Sequence, residues 1–310
     1  MMLKLVVRRT TEIADDIREL VLARSDGGPL LAHPPGSHVV VECGTRRNAY
    51  SLTSSGIEPY EYTIAVLRLP GGNGGSEQMH RFRAGDRVAV SSPRSDFPPV
   101  STAARHLLIA GGIGVTPMLS HARDAVHWGR DVRLLYGHQA GKGAYVEELA
   151  RLLGGRMQRA SGSEEFAGLL REALVSQPIG THLYVCGPAS LMDRVIEEAT
   201  AVGWPPQRVH LERFTPAELD PGQPFTARLR RSGRSVTVPA GTSLLDALEQ
   251  AGVPVANMCR QGVCGECQVP VFAGRPLHRD EFLTQDERAA GDSVMCCVSR
   301  SETEHLEVDL

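Results

Sequence analysis

The sequence predicts a multidomain chain: an antiparallel β-barrel, an α/β domain with a parallel sheet, and a small α+β module, in that order. Three observations carry this. Val-, Ile- and Tyr-rich runs broken by turn residues fill roughly the first hundred positions. Short apolar runs then alternate with amphipathic helical stretches as far as residue 214. Beyond a proline-rich stretch come four cysteines in ligand spacing.

In the first region strands are expected at Leu3–Arg8, Ile17–Ala23, His38–Cys43, Tyr60–Leu69 and Arg87–Ser91. Turn residues such as Asp26-Gly27-Gly28 and Pro34-Pro35-Gly36 separate them, and almost no helix intervenes, as in a small barrel. Between the last strands lies Gly71-Gly72-Asn73-Gly74-Gly75-Ser76, leading into a short helix over Glu77–Arg81. A glycine turn with Ser capping a helix start offers free N–H groups to a phosphate.

The second region opens with the apolar run His106–Ala110, then Gly111-Gly112-Ile113-Gly114-Val115-Thr116-Pro117-Met118. Strand, glycine turn and helix in that order begin a nucleotide-binding α/β unit, although the spacing is not G-x-G-x-x-G. The expected continuation is strand Val132–Tyr136, helices Val146–Leu153 and Glu164–Leu174, strand His182–Cys186 and helix Ser190–Val202. Tyr184-Val185-Cys186-Gly187-Pro188, followed by Leu191-Met192, ends a strand and starts a helix, where open α/β sheets bind ligands.

Residues 215–224 hold three prolines without periodicity and read as a linker. A hairpin around Ser232-Gly233 follows, then a helix over Ser243–Gln250 with Thr242 as cap. Arg228, Arg230, Arg231 and Arg234 read as a solvated face. The loop Cys259-Arg260-Gln261-Gly262-Val263-Cys264-Gly265-Glu266-Cys267 has spacing C-x4-C-x2-C, and Cys297 follows after twenty-nine intervening residues. That is the plant-type pattern for a [2Fe–2S] cluster; zinc, which favours paired C-x2-C knuckles, is the competitor. Further strands are expected near Gln268–Phe272, Ser293–Val298 and His305–Val308. On a strand, Cys296 and Cys297 would point to opposite faces, so one only would reach the metal.

Together these marks resemble the phthalate dioxygenase reductase family. The cysteine loop with Val298-Ser299-Arg300 resembles a plant-type ferredoxin of β-grasp fold, with Cys259, Cys264, Cys267 and Cys297 as ligands and Cys296 a small apolar residue. Arg47-Asn48-Ala49-Tyr50-Ser51-Leu52-Thr53 resembles the R-x-Y-S-L flavin motif, with Asn48 in the arginine position and Arg47 one place early. The resemblance implies a flavin domain over 1–100, an NADH domain over 101–214, the 215–224 linker and a ferredoxin domain over 225–310. It implies FMN held by Arg47, Asn48, Tyr50, Ser51, Leu52, Val66, Arg68, Gly74, Gly75 and Ser76, with Phe214 against the ring. NADH is expected at Gly112, Gly114, Thr116, Cys186, Gly187, Pro188 and Met192, with Ser51 and Cys186 beside the reacting atoms. The loop Tyr136–Lys142 holds no arginine, which favours NADH over NADPH. The implied activity is an NADH-dependent oxidoreductase passing electrons from FMN through the cluster to the Rieske centre of a partner terminal oxygenase. Service to a haem monooxygenase is the alternative.

Composition narrows the remaining classes. A net charge of −3 argues against nucleic acid as the main partner. No apolar run reaches eighteen residues and Met1–Leu5 opens no signal-peptide core, so no membrane association is expected. Seven cysteines in 310 residues, four of them ligand-like, suit a reducing cytoplasmic setting.

Overall fold

The computed structural model describes the chain apart from residues 1, 45, 72, 73, 96, 215–219, 258, 259, 261, 263, 264 and 281, and the side chain of residue 46. It divides into two compact units, Met1–Phe214 and Thr215–Leu310.

The first unit begins with an antiparallel sheet of β1 (Met2–Ala14), β2 (Ile17–Ala23), β3 (Ser37–Cys43), β4 (Arg46–Ser51), β5 (Glu61–Leu67), β6 (Arg87–Ser91) and the short β7 (Arg94–Ser95), with helix α1 (Gly75–Arg81) after β5. The path β4-β3-β6-β1-β2-β5, with β7 beside β3, wraps a core of Leu5, Leu20, Leu22, Val39, Val41, Leu52, Ile64 and Met79. Strand β1 is longer than its apolar run because it bulges twice, after Val7 and after Glu12. It turns at Asp15-Asp16, where Asp16 takes φ of 59°.

The same unit continues with β8 (Arg105–Gly111), a 3-10 turn over Gly112–Gly114, α2 (Val115–His127), β9 (Val132–Gly137), α3 (Val146–Leu153), β10 (Met157–Ala160), α4 (Ser163–Val175), β11 (Thr181–Cys186), α5 (Ala189–Ala201) and β12 (Val209–Glu212). The five strands are parallel in order β10-β9-β8-β11-β12. Apolar clusters cover both faces. The order reverses between β8 and β11, which makes their carboxyl ends the switch point of the sheet. Strand β10 carries too few apolar residues to register as a strand in the sequence; it forms because β9 offers it a parallel ladder.

The second unit is a β-grasp: β13 (Phe225–Leu229), β14 (Ser235–Val238), α6 (Leu244–Gln250), β15 (Gln268–Ala273), β16 (Pro276–Leu277), α7 (Gln285–Ala290), β17 (Ser293–Met295), β18 (Arg300–Ser301) and β19 (His305–Val308). The sheet runs β14-β13-β19-β15-β17, with β13 and β19 parallel and α6 packed into its core. The cap of α6 is Ser243, not Thr242: the Ser243 hydroxyl accepts from Asp246 N at 3.0 Å, while the Thr242 carbonyl is taken by Arg300. Strand β17 is shorter than expected. Val298 N and Ser299 N both donate to the Met295 carbonyl, at 3.3 and 3.0 Å, which folds Cys296 and Cys297 into a turn. Strand alternation therefore does not separate those two cysteines.

Candidate functional site

The barrel's candidate residues start on β4. Arg47 faces Glu42 across the ladder and pairs with it at 3.1 Å. Alternation puts Asn48 and Tyr50 together on the other face, where Asn48 Nδ2 donates to the Tyr50 hydroxyl at 3.3 Å. Burial pushes the Tyr50 phenol well above its ordinary value, so it remains protonated. Ser51 follows, buried opposite His38, and its Oγ has no hydrogen-bond partner among the described residues. Leu52 is fully buried and its amide donates to the Ser37 carbonyl at 2.8 Å.

Beside β4 lie β5, which buries Val66, and α1, which touches both strands. Helix α1 starts two residues earlier than its sequence suggests. Gly74, at φ of 81°, is its N-cap, and Ser76 sits inside the first turn. Ser76 does not cap; its Oγ accepts from Leu69 N at 3.1 Å. Arg68, next in chain to that contact, pairs with Asp16 of the β1–β2 turn. Strand β5, which carries Val66, also abuts the Gly112–Gly114 turn and so stands between that turn and the elements carrying Tyr50, Ser51, Gly75 and Ser76.

At the switch point two glycine segments meet backbone to backbone. A Cβ on Gly114 would lie 2.3 Å from the Cys186 carbonyl oxygen and 2.8 Å from Gly187 N. One on Gly187 would lie 3.0 Å from Gly111 Cα. Gly112, at φ of 53°, bends the chain out of β8. Thr116 is buried in the first turn of α2, its hydroxyl donating to the Ile113 carbonyl at 3.0 Å. Cys186 ends β11 fully buried, in register with Glu212 of β12. Burial, and then the Glu212 charge, hold its thiol well above the ordinary range, so it is a neutral thiol. Pro188 caps α5 and Met192 is buried one turn in. Phe214 packs on the cluster that joins Ile17 and Ala65 of the barrel to Val115 of α2.

In the second unit Cys259 and Cys264 lie outside the described residues; Cys267 and Cys297 are both buried. Cys296 is fully buried among apolar side chains, its amide donating to the Cys267 carbonyl at 3.2 Å. Burial, then proximity to Cys267, pushes the Cys296 thiol far up. Gly262 and Gly265 both take positive φ, and neither has room for a side chain. A Cβ would meet Val298 Cγ2 at 2.6 Å in the first case and the Phe282 ring at 2.3 Å in the second.

Sequence reading missed the side chains that fasten this loop and the segments around it. Arg260, itself at φ of 56°, reaches Asp246 at 3.1 Å, Asn257 Oδ1 at 3.2 Å and Glu249. Buried Asp280 accepts from Ser299 Oγ at 3.0 Å and from Leu283 N at 2.9 Å. Buried Arg300 donates to the carbonyls of Gln223 at 2.9 Å, Pro239 at 3.0 Å and Thr242. The three partners of Arg260 lie within fifteen residues of it, and Asp280 bonds Leu283 three residues on, but Ser299 and the partners of Arg300 come from more distant positions, which no local pattern reveals.

These residues fit the expected groups. An orphaned, buried Ser51 hydroxyl beside a protonated Tyr50 suits a heteroaromatic ligand with polar ring atoms. Backbone contact at 111–114 and 186–187 leaves a cradle that a Cβ would fill. The left-handed positions of the cysteine loop suit a tight wrap of backbone around an anionic cluster.

Fold and sites define a reductase class: a flavin barrel, a pyridine-nucleotide domain and a plant-type ferredoxin in one chain. Residues 90–209 match the family model described as dimethylamine monooxygenase subunit DmmA-like, N-terminal domain. Residues 227–302 match that of the 2Fe-2S iron-sulfur cluster binding domain. The heme-dependent oxidative N-demethylase beta subunit of Ectopseudomonas mendocina is 44% identical over 279 residues, 89% of this chain and 88% of its own. The phthalate dioxygenase reductase of Burkholderia cepacia is 37% identical over 318 residues, 99% and 97% of the two chains. A solved phthalate dioxygenase reductase, described as a modular structure for electron transfer from pyridine nucleotides to [2Fe-2S], superposes with TM-score 0.76 at 35% identity, covering 100% of this chain and 98% of that one. An intact type IV self-sufficient cytochrome P450 monooxygenase gives TM-score 0.83 at 34% identity, covering 100% of this chain and 41% of that one.

The chain belongs to the phthalate dioxygenase reductase family, oxidoreductases that serve as the electron-transfer components of oxygenase systems. The family's cofactor set, FMN, NADH and a [2Fe–2S] cluster, applies to it. Among the described residues no helix is long and apolar enough to cross a membrane.

Proposed function

We propose that the chain draws electrons from NADH onto FMN held by β4, β5 and α1, and relays them through the cluster to the metal centre of a partner oxygenase. Bound flavin accepts a hydride and releases electrons singly, which matches a two-electron donor to a one-electron cluster. The observation that carries this reading is the buried Ser51 hydroxyl with no partner among the described residues, on a strand that packs beside β5, which itself abuts the Gly112–Gly114 turn. Ser51 contacts the flavin ring and Tyr50 packs on it. Gly112, Gly114 and Thr116 bind the nucleotide, and neutral Cys186 walls the nicotinamide. Cys259, Cys264, Cys267 and Cys297 ligate iron. The domain division 1–100, 101–214, linker 215–224 and 225–310 is part of this proposal; the compact border at Phe214 supports one of its edges.

The FMN phosphate sits at the start of α1, with Arg68 as the cation, because Leu69 next to it bonds Ser76. Arg47, four residues back along β4 from Ser51 and paired there with Glu42, has the weaker claim. Arg68→Ala is expected to weaken FMN by roughly tenfold or more, the loss of a charge-assisted bond; Arg47→Ala is expected to leave it in place. Equal losses in both would reverse the assignment. For the nucleotide, Gly141 accepts from Asp15 N at 2.9 Å, and Lys142, after Arg68, helps hold the Asp16 carboxyl low. Two carboxylates beside the 137–142 loop disfavour a 2′-phosphate, so kcat/KM with an artificial acceptor is expected to favour NADH at least tenfold.

Two acceptors compete. Family resemblance points to a Rieske centre. The 44% identity to a heme-dependent N-demethylase subunit favours a haem partner, which we place first. Capture of the tagged chain's partner from its own host, with haem assay and electron paramagnetic resonance on the product, decides: a Rieske signal without haem would overturn that order.

A further inference from the structure

We propose that helix α2 is a positioning strut: Ser120 and Arg123 hold the strands around Ser51 at a fixed setting against the nucleotide loop at the start of the same helix. Thr116, Ser120 and Arg123 stand at i, i+4 and i+7, one above another on one face. Ser120 is buried and uses both of its hydrogen-bonding roles. Its Oγ accepts from Gly36 N at 3.0 Å and donates to the Pro117 carbonyl at 2.8 Å. Gly36 is pressed onto this helix with no space to spare: at φ of 70°, a Cβ there would lie 2.1 Å from the Phe97 carbonyl oxygen and 2.8 Å from His121 Nε2. One turn on, Arg123 donates to the carbonyl of fully buried Thr53, and its Nε bonds Glu148 Oε1 of α3 at 3.0 Å. Tyr145, at the start of α3, adds a bond to Glu19 of β2 at 2.9 Å.

The two barrel contacts flank Ser51. Gly36 immediately precedes β3, the Ser37 carbonyl accepts from Leu52 N, and His38 lies opposite Ser51. Thr53 is two residues beyond Ser51. The strand pair is thus gripped on both sides of the orphaned hydroxyl by one rigid helix, whose first turn carries Thr116. The inference rests on the proposed placement of flavin at Ser51 and nicotinamide at residues 112–116. Given that placement, Ser120 and Arg123 touch neither ligand, yet set the separation on which transfer between them depends steeply.

The test uses the FMN-loaded full chain, reduced by NADH under anaerobic stopped flow, with Arg123→Gln, Arg123→Lys and Ser120→Ala. Arg123→Gln is expected to lower the limiting rate of flavin reduction by roughly ten- to hundredfold, with FMN and NADH dissociation constants unchanged. Arg123→Lys, which keeps one donor for Thr53, should recover part of the rate. In the FMN-free protein, hydrogen exchange should quicken at residues 36–38 and 51–53 in the variants while the rest of α2 stays protected. Should Arg123→Gln fail to fold, Ser120→Ala carries the test with the same expected pattern. Limiting rates equal to wild type, or losses confined to FMN retention or melting temperature, would overturn the strut. Failure of NADH to bleach the wild-type flavin would instead overturn the cofactor placement beneath it.

Discussion

The switch point of the first unit and the cysteine loop of the second solve one problem, bringing backbone close to a cofactor, by different means. At the switch point two strand ends do the work. β8 and β11 are locked in a parallel ladder, so Gly111, Gly114 and Gly187 need only omit their side chains for the turns to meet. Among its described residues, the cysteine loop between α6 and β15 has no ladder of its own. It is held by side chains instead: Arg260 reaches back to α6, and Asp280, itself fixed by Ser299 and Leu283 N, packs against Gly262. Regular structure can position a site through omission, whereas irregular backbone requires added anchors.

The sharpest way to break this comparison is at the ligands. Cys297→Ser is expected to abolish the cluster's paramagnetic signal, while Cys296→Ser keeps it and loses roughly 1–3 kcal/mol of stability by placing a hydroxyl among apolar side chains. The reverse pattern would reassign the ligand. Next in size, Arg300→Met removes the donor from three carbonyls and should cost roughly 1–3 kcal/mol in urea unfolding of the second unit. A cost under 1 kcal/mol would show the anchor idea to be wrong.

Acid should act on the other side of the comparison. Burial lowers His121 to about 3 and His210 to about 4, and lowers His106 as well, all in the first unit around Tyr184. Their unfolded values lie near 6.5. Between those limits the unfolded chain binds more protons, so stability is full above pH 6.5 and falls as pH drops toward 4. Each histidine contributes a slope of up to about 1.4 kcal/mol per pH unit. Denaturant titrations at pH 7 and pH 5 should show the first unit losing stability; a pH-independent midpoint would contradict it.

The smallest effects separate two kinds of glycine. Gly114→Ala forces a methyl into the Cys186 carbonyl and should cost roughly 1–3 kcal/mol with loss of NADH affinity. Gly74→Ala meets nothing within 4 Å and suffers only its positive φ, about 1–2 kcal/mol, with NADH affinity intact. Matching NADH losses in both would remove the distinction between space and conformation.

Much of this was legible in the chain. Periodicity gave the barrel strands and the β/α alternation, and cysteine spacing gave the ferredoxin, because these depend on neighbours a few residues apart. What escaped depends on distance or on weak local signal. The edge strand β10 is polar and is specified by β9. Helix α7 did carry a capping box, Thr284 with Glu287, that pattern reading passed over. Ser243 rather than Thr242 caps α6, and the Thr242 carbonyl goes instead to Arg300, fifty-eight positions away. The grip of Ser120 and Arg123 on the barrel spans seventy or more positions and has no sequence signature.

Arg300 has one further consequence, for evolution. By binding the Gln223 carbonyl it fastens the incoming chain to the β-grasp at the very first residues of that module. The iron–sulfur module therefore carries its own clasp for the chain that enters it. Because that clasp meets backbone carbonyls, it constrains the arginine and leaves the side-chain identities at 223, 239 and 242 outside its reach.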